Sequence, residues 1–164
     1  MGRSLGLAVS LGRINFGRFV MLSRILIVCT GNICRSPMAE ALMRARVKDR
    51  AEQVQSAGTG ALVGHPADPD AVAVAAEHGL DLSAHRAQQA SAPLLAAMDL
   101  ILTLDQSHSD WLNRQYPQLR GRVHKLLKWQ NNADIMDPYR QPRAAFVRAF
   151  EEIELGVEDW LARL

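Results

Sequence analysis

Cysteine is scarce in this chain: there are two among 164 residues, Cys29 and Cys34, and both fall in one short stretch. A disulfide framework is thereby excluded, and an exposed thiol kept for reactivity points to a reducing compartment. Aromatic residues make up only 5% of the chain, and the Trp and Phe residues near its end read as packing rather than cofactor contacts. No apolar run approaches the roughly 20 residues of a membrane span, so no stable membrane insertion is expected. There is no Gly-Lys-Ser/Thr of the nucleotide-binding kind. Gly58 to Gly64 has one residue too many for the dinucleotide fingerprint and runs into His65-Pro66 instead of a helix. Two cysteines with scattered histidines offer no metal site, and no cofactor is expected. The net charge is +2, but the first twenty residues hold Arg3, Arg13 and Arg18 and no acid, so the remainder carries −1. That body has no basic stripe for nucleic acid. With no internal repeat and no second boundary, the chain reads as one domain with a core of its own.

What the sequence does have is concentrated in Cys29-Thr30-Gly31-Asn32-Ile33-Cys34-Arg35-Ser36. The apolar, β-branched run Arg24 to Val28 before it has the pattern of a buried parallel strand. Ser36 is a good N-cap and Pro37 suits a first helical turn, so the segment reads as strand, tight loop and helix N-terminus. That arrangement aims free backbone N–H groups and the positive end of a helix dipole at one point. A thiol attacks as the thiolate, and helix N-termini and neighbouring cations favour that anion. Arg35 can grip two phosphoryl oxygens bidentately, which lysine cannot. Gly31 leaves room for the ligand and can take positive φ, and the Ser36 hydroxyl can donate to the sulfur. The competing reading is a buried structural cysteine beside a surface arginine. The preceding strand and the internal Gly31-Asn32 favour a phosphate-binding loop built to attack what it binds.

Further along, strands are predicted over Gln53–Thr59, Asp99–Leu104 and Arg122–Leu127. Helices are predicted from Asp68 to His78, Ser91 to Ala97, Asp105 to Tyr116 and Pro142 to about Leu161. Alternating strands and helices predict an α/β fold: a single three-layer domain with a four-stranded parallel sheet and helices on both faces. Its ligand is expected beyond the carboxyl ends of the strands, where Cys29 lies.

Val28 through Leu42 resembles the signature of the low-molecular-weight protein tyrosine phosphatases. Ser56-Ala-Gly-Thr59, His85 with Ala87 and Gln89, Asp99 to Asp105 and Asp137-Pro-Tyr139 follow in that family's order, covering the chain from about Leu22 to its end. The resemblance implies that Cys29 is the nucleophile of a phosphocysteine intermediate. It makes Arg35, with the loop amides from Thr30 to Ser36, the phosphoryl-binding group. Asp137, which alone reads as an ordinary turn residue, becomes the general acid and then the base. It implies that the Asn32 side chain holds the loop through Ser56 and His85. Asparagine tolerates the left-handed region better than most residues. Cys34 would form a reversible disulfide with Cys29 that spares it from over-oxidation. Gln88 departs from the family, standing where an arginine is common.

Gly60 to Pro69 and Asp137 to Arg140 resemble bacterial members tied to capsule and exopolysaccharide production. The resemblance implies a cytoplasmic enzyme, monomeric or weakly oligomeric. Its substrate would be the phosphotyrosine-bearing tail of a membrane tyrosine autokinase, met at a rim formed by Leu62 and Tyr139. Three rivals fit the same architecture. Arsenate reduction needs relay cysteines, and none follows Cys34. Arginine phosphatases share Thr30 but carry threonine where Ile33 stands, and the apolar Ile33 suits an aromatic ester. A phosphotyrosine reader without activity would be expected to lack the nucleophile or the acid. Residues 1–21 read as a flexible N-terminal extension to the domain over 22–164. Leu5 to Leu11 is broken by glycines and lacks a cleavage site, against a secretory signal. Met21 is a candidate start.

Overall fold

Arg24–Cys29 forms strand β1, and all but its first residue are buried. In the computed structural model, which describes residues 23–51 and 53–164, β1 runs parallel to β2 (Gln53–Gly58) on one side and β3 (Leu100–Thr103) on the other. Strand β4 (Val123–Lys125) pairs in parallel with β3, giving the order β2-β1-β3-β4. The N-terminal extension expected over 1–21 lies outside the described residues.

Side chains of a strand alternate between faces, and here both faces are covered. Ile25, Ile27 and Cys29 join a core with helices α1 (Arg35–Val47), α2 (Pro69–Glu77) and α5 (Arg143–Leu161). Leu26 and Val28 point the other way, to Leu95 of α3 (Ala92–Ala96) and Leu112 of α4 (Gln106–Gln115). The three-layer α/β sandwich with four parallel strands is the architecture the alternation predicts. Helix α5 buries Phe146, Phe150, Ile153, Val157 and Trp160, spacings of three and four that put one stripe on the sheet. Among the described residues, no helix is long and apolar enough to cross a membrane.

Strand β2 ends one residue short of expectation and β3 one short at each end, and two further differences are larger. Strand β4 is shorter than the predicted Arg122–Leu127: the ladder stops at Lys125, and Leu126 and Leu127 turn inward to meet α5. Helix α1 begins at Arg35 with Cys34 in the cap position and no side-chain cap bond. Ser36 is therefore not the N-cap, because its hydroxyl is engaged elsewhere. By contrast, α2 falls within the predicted Asp68–His78: Asp68 caps it, accepting from Asp70 N at 2.9 Å, and Gly79 follows its end at φ +74°.

The order places β1 beside β3, and the chain leaves them for opposite faces, β1 into α1 and β3 into α4. A crevice opens at such a switch point, beyond the carboxyl ends of the two strands.

Gly156 sets how closely α5 approaches the segment that follows β4. A Cβ there would lie 2.7 Å from Leu126 Cγ and 2.9 Å from the Leu126 carbonyl oxygen. Alanine ordinarily favours a helix interior by about 1 kcal/mol over glycine, but here overpacking against backbone opposes it. Gly156→Ala is expected to destabilise the fold by about 1–3 kcal/mol, read from urea unfolding. A neutral or stabilised variant would mean that Leu126 gives way.

Candidate active site

The loop between β1 and α1 is shaped by where its carbonyl groups go. Those of Cys29, Thr30 and Gly31 accept from the N–H groups of Thr59 (2.9 Å), Gly60 (3.0 Å) and Leu62 (3.0 Å). That of Ile33 accepts from Asp68 N at 2.8 Å, and that of Asn32 lies 2.7 Å from His85 Nε2. Every carbonyl from 29 to 33 is thus drawn outward. A trans peptide sets its N–H opposite its C=O, so the amides of residues 30 to 34 face inward and continue into the free amides of the α1 N-terminus. Gly58 permits this approach: a Cβ there would sit 2.3 Å from the Thr30 carbonyl oxygen.

Positive φ falls on Asn32 (58°), not on Gly31. Asn32 is fully buried, and its Nδ2 donates to Ser36 Oγ at 2.8 Å and Ser56 Oγ at 2.9 Å. Ser56 Oγ in turn donates to Glu40 Oε2 at 2.6 Å. The expectation that the Asn32 side chain also meets His85 needs correcting, since His85 holds its main-chain carbonyl. The side-chain Oδ1 accepts instead from Gln88 N at 2.9 Å. Gln88 Nε2 donates to the Ser56 carbonyl at 2.9 Å, so a neutral amide braces the loop's support at the position where an arginine is common in the resembled family.

Cys29 lies at the floor of the cleft, 3% exposed, and is not a surface thiol; its Sγ is 2.8 Å from Ser36 Oγ. Arg35 is also buried, and its Nη1 donates to Asp105 Oδ2 at 2.8 Å and to the Ile135 carbonyl at 2.7 Å. Its Nη2 is 3.6 Å from Asp137 Oδ2. Asp137 is half exposed, with Oδ1 accepting from Tyr139 N at 3.1 Å. These residues line a cleft of about 190 Å³ together with Thr30, Gly31, Ile33, Cys34, Gly60, Leu62 and Tyr139. Leu62 and Tyr139 stand exposed at its mouth.

Burial works against the Asp105 carboxylate, but hydrogen bonds from Ser107 and Arg35 outweigh it and hold Asp105 below the usual carboxylate range. Burial pushes the Cys34 thiol far up, and the negative charge of Asp68 adds to this. The two thiols of one loop are both free. Among the described residues, no group of three or more His, Cys, Asp or Glu is placed to hold a metal ion.

The structure therefore brings together Cys29, Arg35 and Asp137, with Ser56 and His85 behind the loop and Leu62 and Tyr139 at the rim. It adds residues to which the sequence reading gave no role. Asp105 holds Arg35, and His108 lies 2.9 Å from Thr30 Oγ1. Glu40 sits behind Ser56. The first two carried a signal, because an acid followed three residues later by a polar side chain marks a capping box. Nothing in the chain's order tied that box to the loop.

The model of the family described as low molecular weight phosphotyrosine protein phosphatase matches residues 24–164. The chain is 46% identical over 144 residues to the probable low molecular weight protein-tyrosine-phosphatase EpsP of Ralstonia nicotianae, covering 88% of this chain and 97% of that one. Among solved structures, Vibrio vulnificus Wzb in complex with benzylphosphonate is similar with a TM-score of 0.83 at 37% identity, covering 87% and 99% of the two chains. The YwlE arginine phosphatase from Geobacillus stearothermophilus is similar with a TM-score of 0.81 at 30% identity, covering 86% and 92%. By a match that spans the whole of the described sheet and the cleft at its carboxyl edge, the chain belongs to the low molecular weight phosphotyrosine protein phosphatases.

Proposed function

We propose that the chain hydrolyses protein phosphotyrosine through a phosphocysteine intermediate. The observation that carries this is the meeting of three groups in one cleft: the Cys29 sulfur at its floor, the Arg35 guanidinium beside it, and the Asp137 carboxylate 3.6 Å from that guanidinium. A phosphoryl group seated against the inward amides would present its phosphorus to Cys29 Sγ. As the S–P bond forms and the bond to the phenolic oxygen breaks, Asp137 gives that oxygen a proton. Arg35 has one nitrogen committed to Asp105 and Ile135, which leaves the rest of its fork for the phosphoryl oxygens. Fixed amides and a fixed guanidinium meet developing charge without reorganising. In the second step Asp137, now a carboxylate, takes a proton from water as its oxygen attacks phosphorus. The Ser36 hydroxyl then stabilises the departing thiolate, and inorganic phosphate leaves.

Ser56 and His85 act in this reading as loop supports. Cys34 acts as the resolving thiol: its sulfur condenses with a Cys29 sulfenic acid formed by peroxide, releasing water and leaving a disulfide. The apolar rim of Ile33, Leu62 and Tyr139 suits an aromatic ester better than a phosphoguanidinium. The finer reading takes the substrate as the phosphotyrosine-rich tail of a membrane autokinase controlling exopolysaccharide synthesis and export, with the enzyme in the cytoplasm. Its support is the likeness to EpsP and Wzb and to the Gly60–Pro69 and Asp137–Arg140 segments of such members.

Rapid-quench mass spectrometry of the wild-type chain with an aryl phosphate is expected to show one phosphoryl group on Cys29. Its absence during turnover would mean direct attack by water. Asp137→Ala is expected to lower kcat by about 10²–10⁴ while inorganic phosphate still binds. Among phosphotyrosine, phosphoserine and phosphoarginine peptides, with Cys29→Ser as the blank, phosphotyrosine should be turned over best. Preference for phosphoarginine would defeat the argument from Ile33.

A further inference from the structure

The nucleophile loop is gripped from two sides. Its carbonyls are held by segments that follow β2. From the opposite side α4 makes two contacts, both through its N-terminal cap: Asp105 takes Arg35, and His108 takes Thr30. His108 is 1% exposed. Its Nδ1 lies 3.2 Å from Asp105 N, a main-chain group that can only donate. Nδ1 is therefore the acceptor, and in the neutral ring the proton sits on Nε2, which donates to Thr30 Oγ1 at 2.9 Å. The alternative, a protonated Nδ1 facing Asp105 Oδ1 at 3.4 Å, would set two donors against each other. That oxygen is already engaged by Ser107 N and Oγ and by His108 N.

Resting on the phosphatase reading above, we propose that His108 is a positioning residue for this cleft, pinning Thr30 through Nε2–H while its Nδ1 fixes the cap that aims Asp105 at Arg35. One imidazole thereby sets the distance between the first amides of the loop and the guanidinium, the two ends of the phosphoryl cradle. The pair is built for a neutral ring. Charged groups face it from three places: Asp105 at the cap, Arg35 on α1, and Asp134 and Asp137 on the segment after β4. Burial and then Arg35 oppose its protonation, outweighing the three carboxylates and bringing it from 6.5 down to about 4. The folded chain thus takes up this proton less readily than the unfolded one. The stability contributed by neutral His108 is complete above pH 6.5 and is lost as the pH falls through about 4.

Two measurements on the full chain test this separately from the phosphatase reading. Nitrogen-15 imidazole spectra should show His108 as the neutral Nε2–H tautomer, still uncharged at pH 5.5. An Nδ1–H tautomer, or titration near the free-histidine value, would overturn the proposal whether or not the chain turns over any substrate. The second is a double-mutant cycle of Thr30→Val and His108→Gln read in kcat for an aryl phosphate. Glutamine at this helical position keeps the capping box, so the helix start is retained. Each single change should lower kcat roughly three- to tenfold, the scale of one hydrogen bond, with little change in KM. The double variant should be no slower than the worse single one, and Thr30→Ser should restore the rate. Additive losses, unchanged kcat, or losses that follow only the melting temperature would refute the positioning role.

Discussion

Everything in the cleft depends on the orientation of five consecutive peptide groups, those whose carbonyls belong to Cys29 through Ile33. A curled loop left alone would tumble these dipoles, and their amides would bind water. Here each carbonyl is claimed by a partner on the β2 side of the sheet, and planarity does the rest. The energy that keeps the amides converging on one point therefore comes from outside the cleft. It lies in hydrogen bonds that a ligand neither makes nor breaks. Anion binding then requires no rearrangement of the cradle, which is the condition under which fixed dipoles favour a charged transition state.

The same economy governs the arginine. A buried guanidinium is costly unless its charge is paired and its donors are filled. Asp105 and the Ile135 carbonyl fill one nitrogen, and Asp137 lies close to the other. Asp105 is the tighter partner and is itself fastened by its helix cap, so it acts as ballast for Arg35. Asp137 is more exposed and less committed, which suits the proposed role of giving and then accepting a proton.

Sequence made the local half of this legible and left the distant half dark. The strand, loop and helix around Cys29 are contiguous, so an apolar run, a glycine and a proline were enough to outline them. Alternating elements then implied the parallel sheet, and its carboxyl edge implied where a ligand would lie. Asp137 became meaningful only through family likeness, because an Asp-Pro pair by itself marks any turn. Asp105 and His108 stayed hidden for a different reason: a capping box looks the same whether it only starts a helix or also holds the arginine of a distant loop. Ser36 was misread as a cap because its preference for helix starts and its hydroxyl's reach to sulfur leave the same mark in the sequence. Gln88 shows the converse. It departs from the family pattern, yet its main-chain N–H donates to Asn32 Oδ1 and its side-chain amide donates to Gln55 Oε1 and the Ser56 carbonyl.

The bonds that steady Arg35 join residues separated by 70 and 100 positions along the chain. During synthesis the sulfur and the guanidinium emerge from the ribosome long before the segment that restrains them. A nascent or truncated polypeptide ending before Ile135 would carry the whole signature loop and still lack a finished catalyst. The loop's own partners, Thr59 to His85, come first, and the grip on Arg35 is complete only once Ile135 has been made.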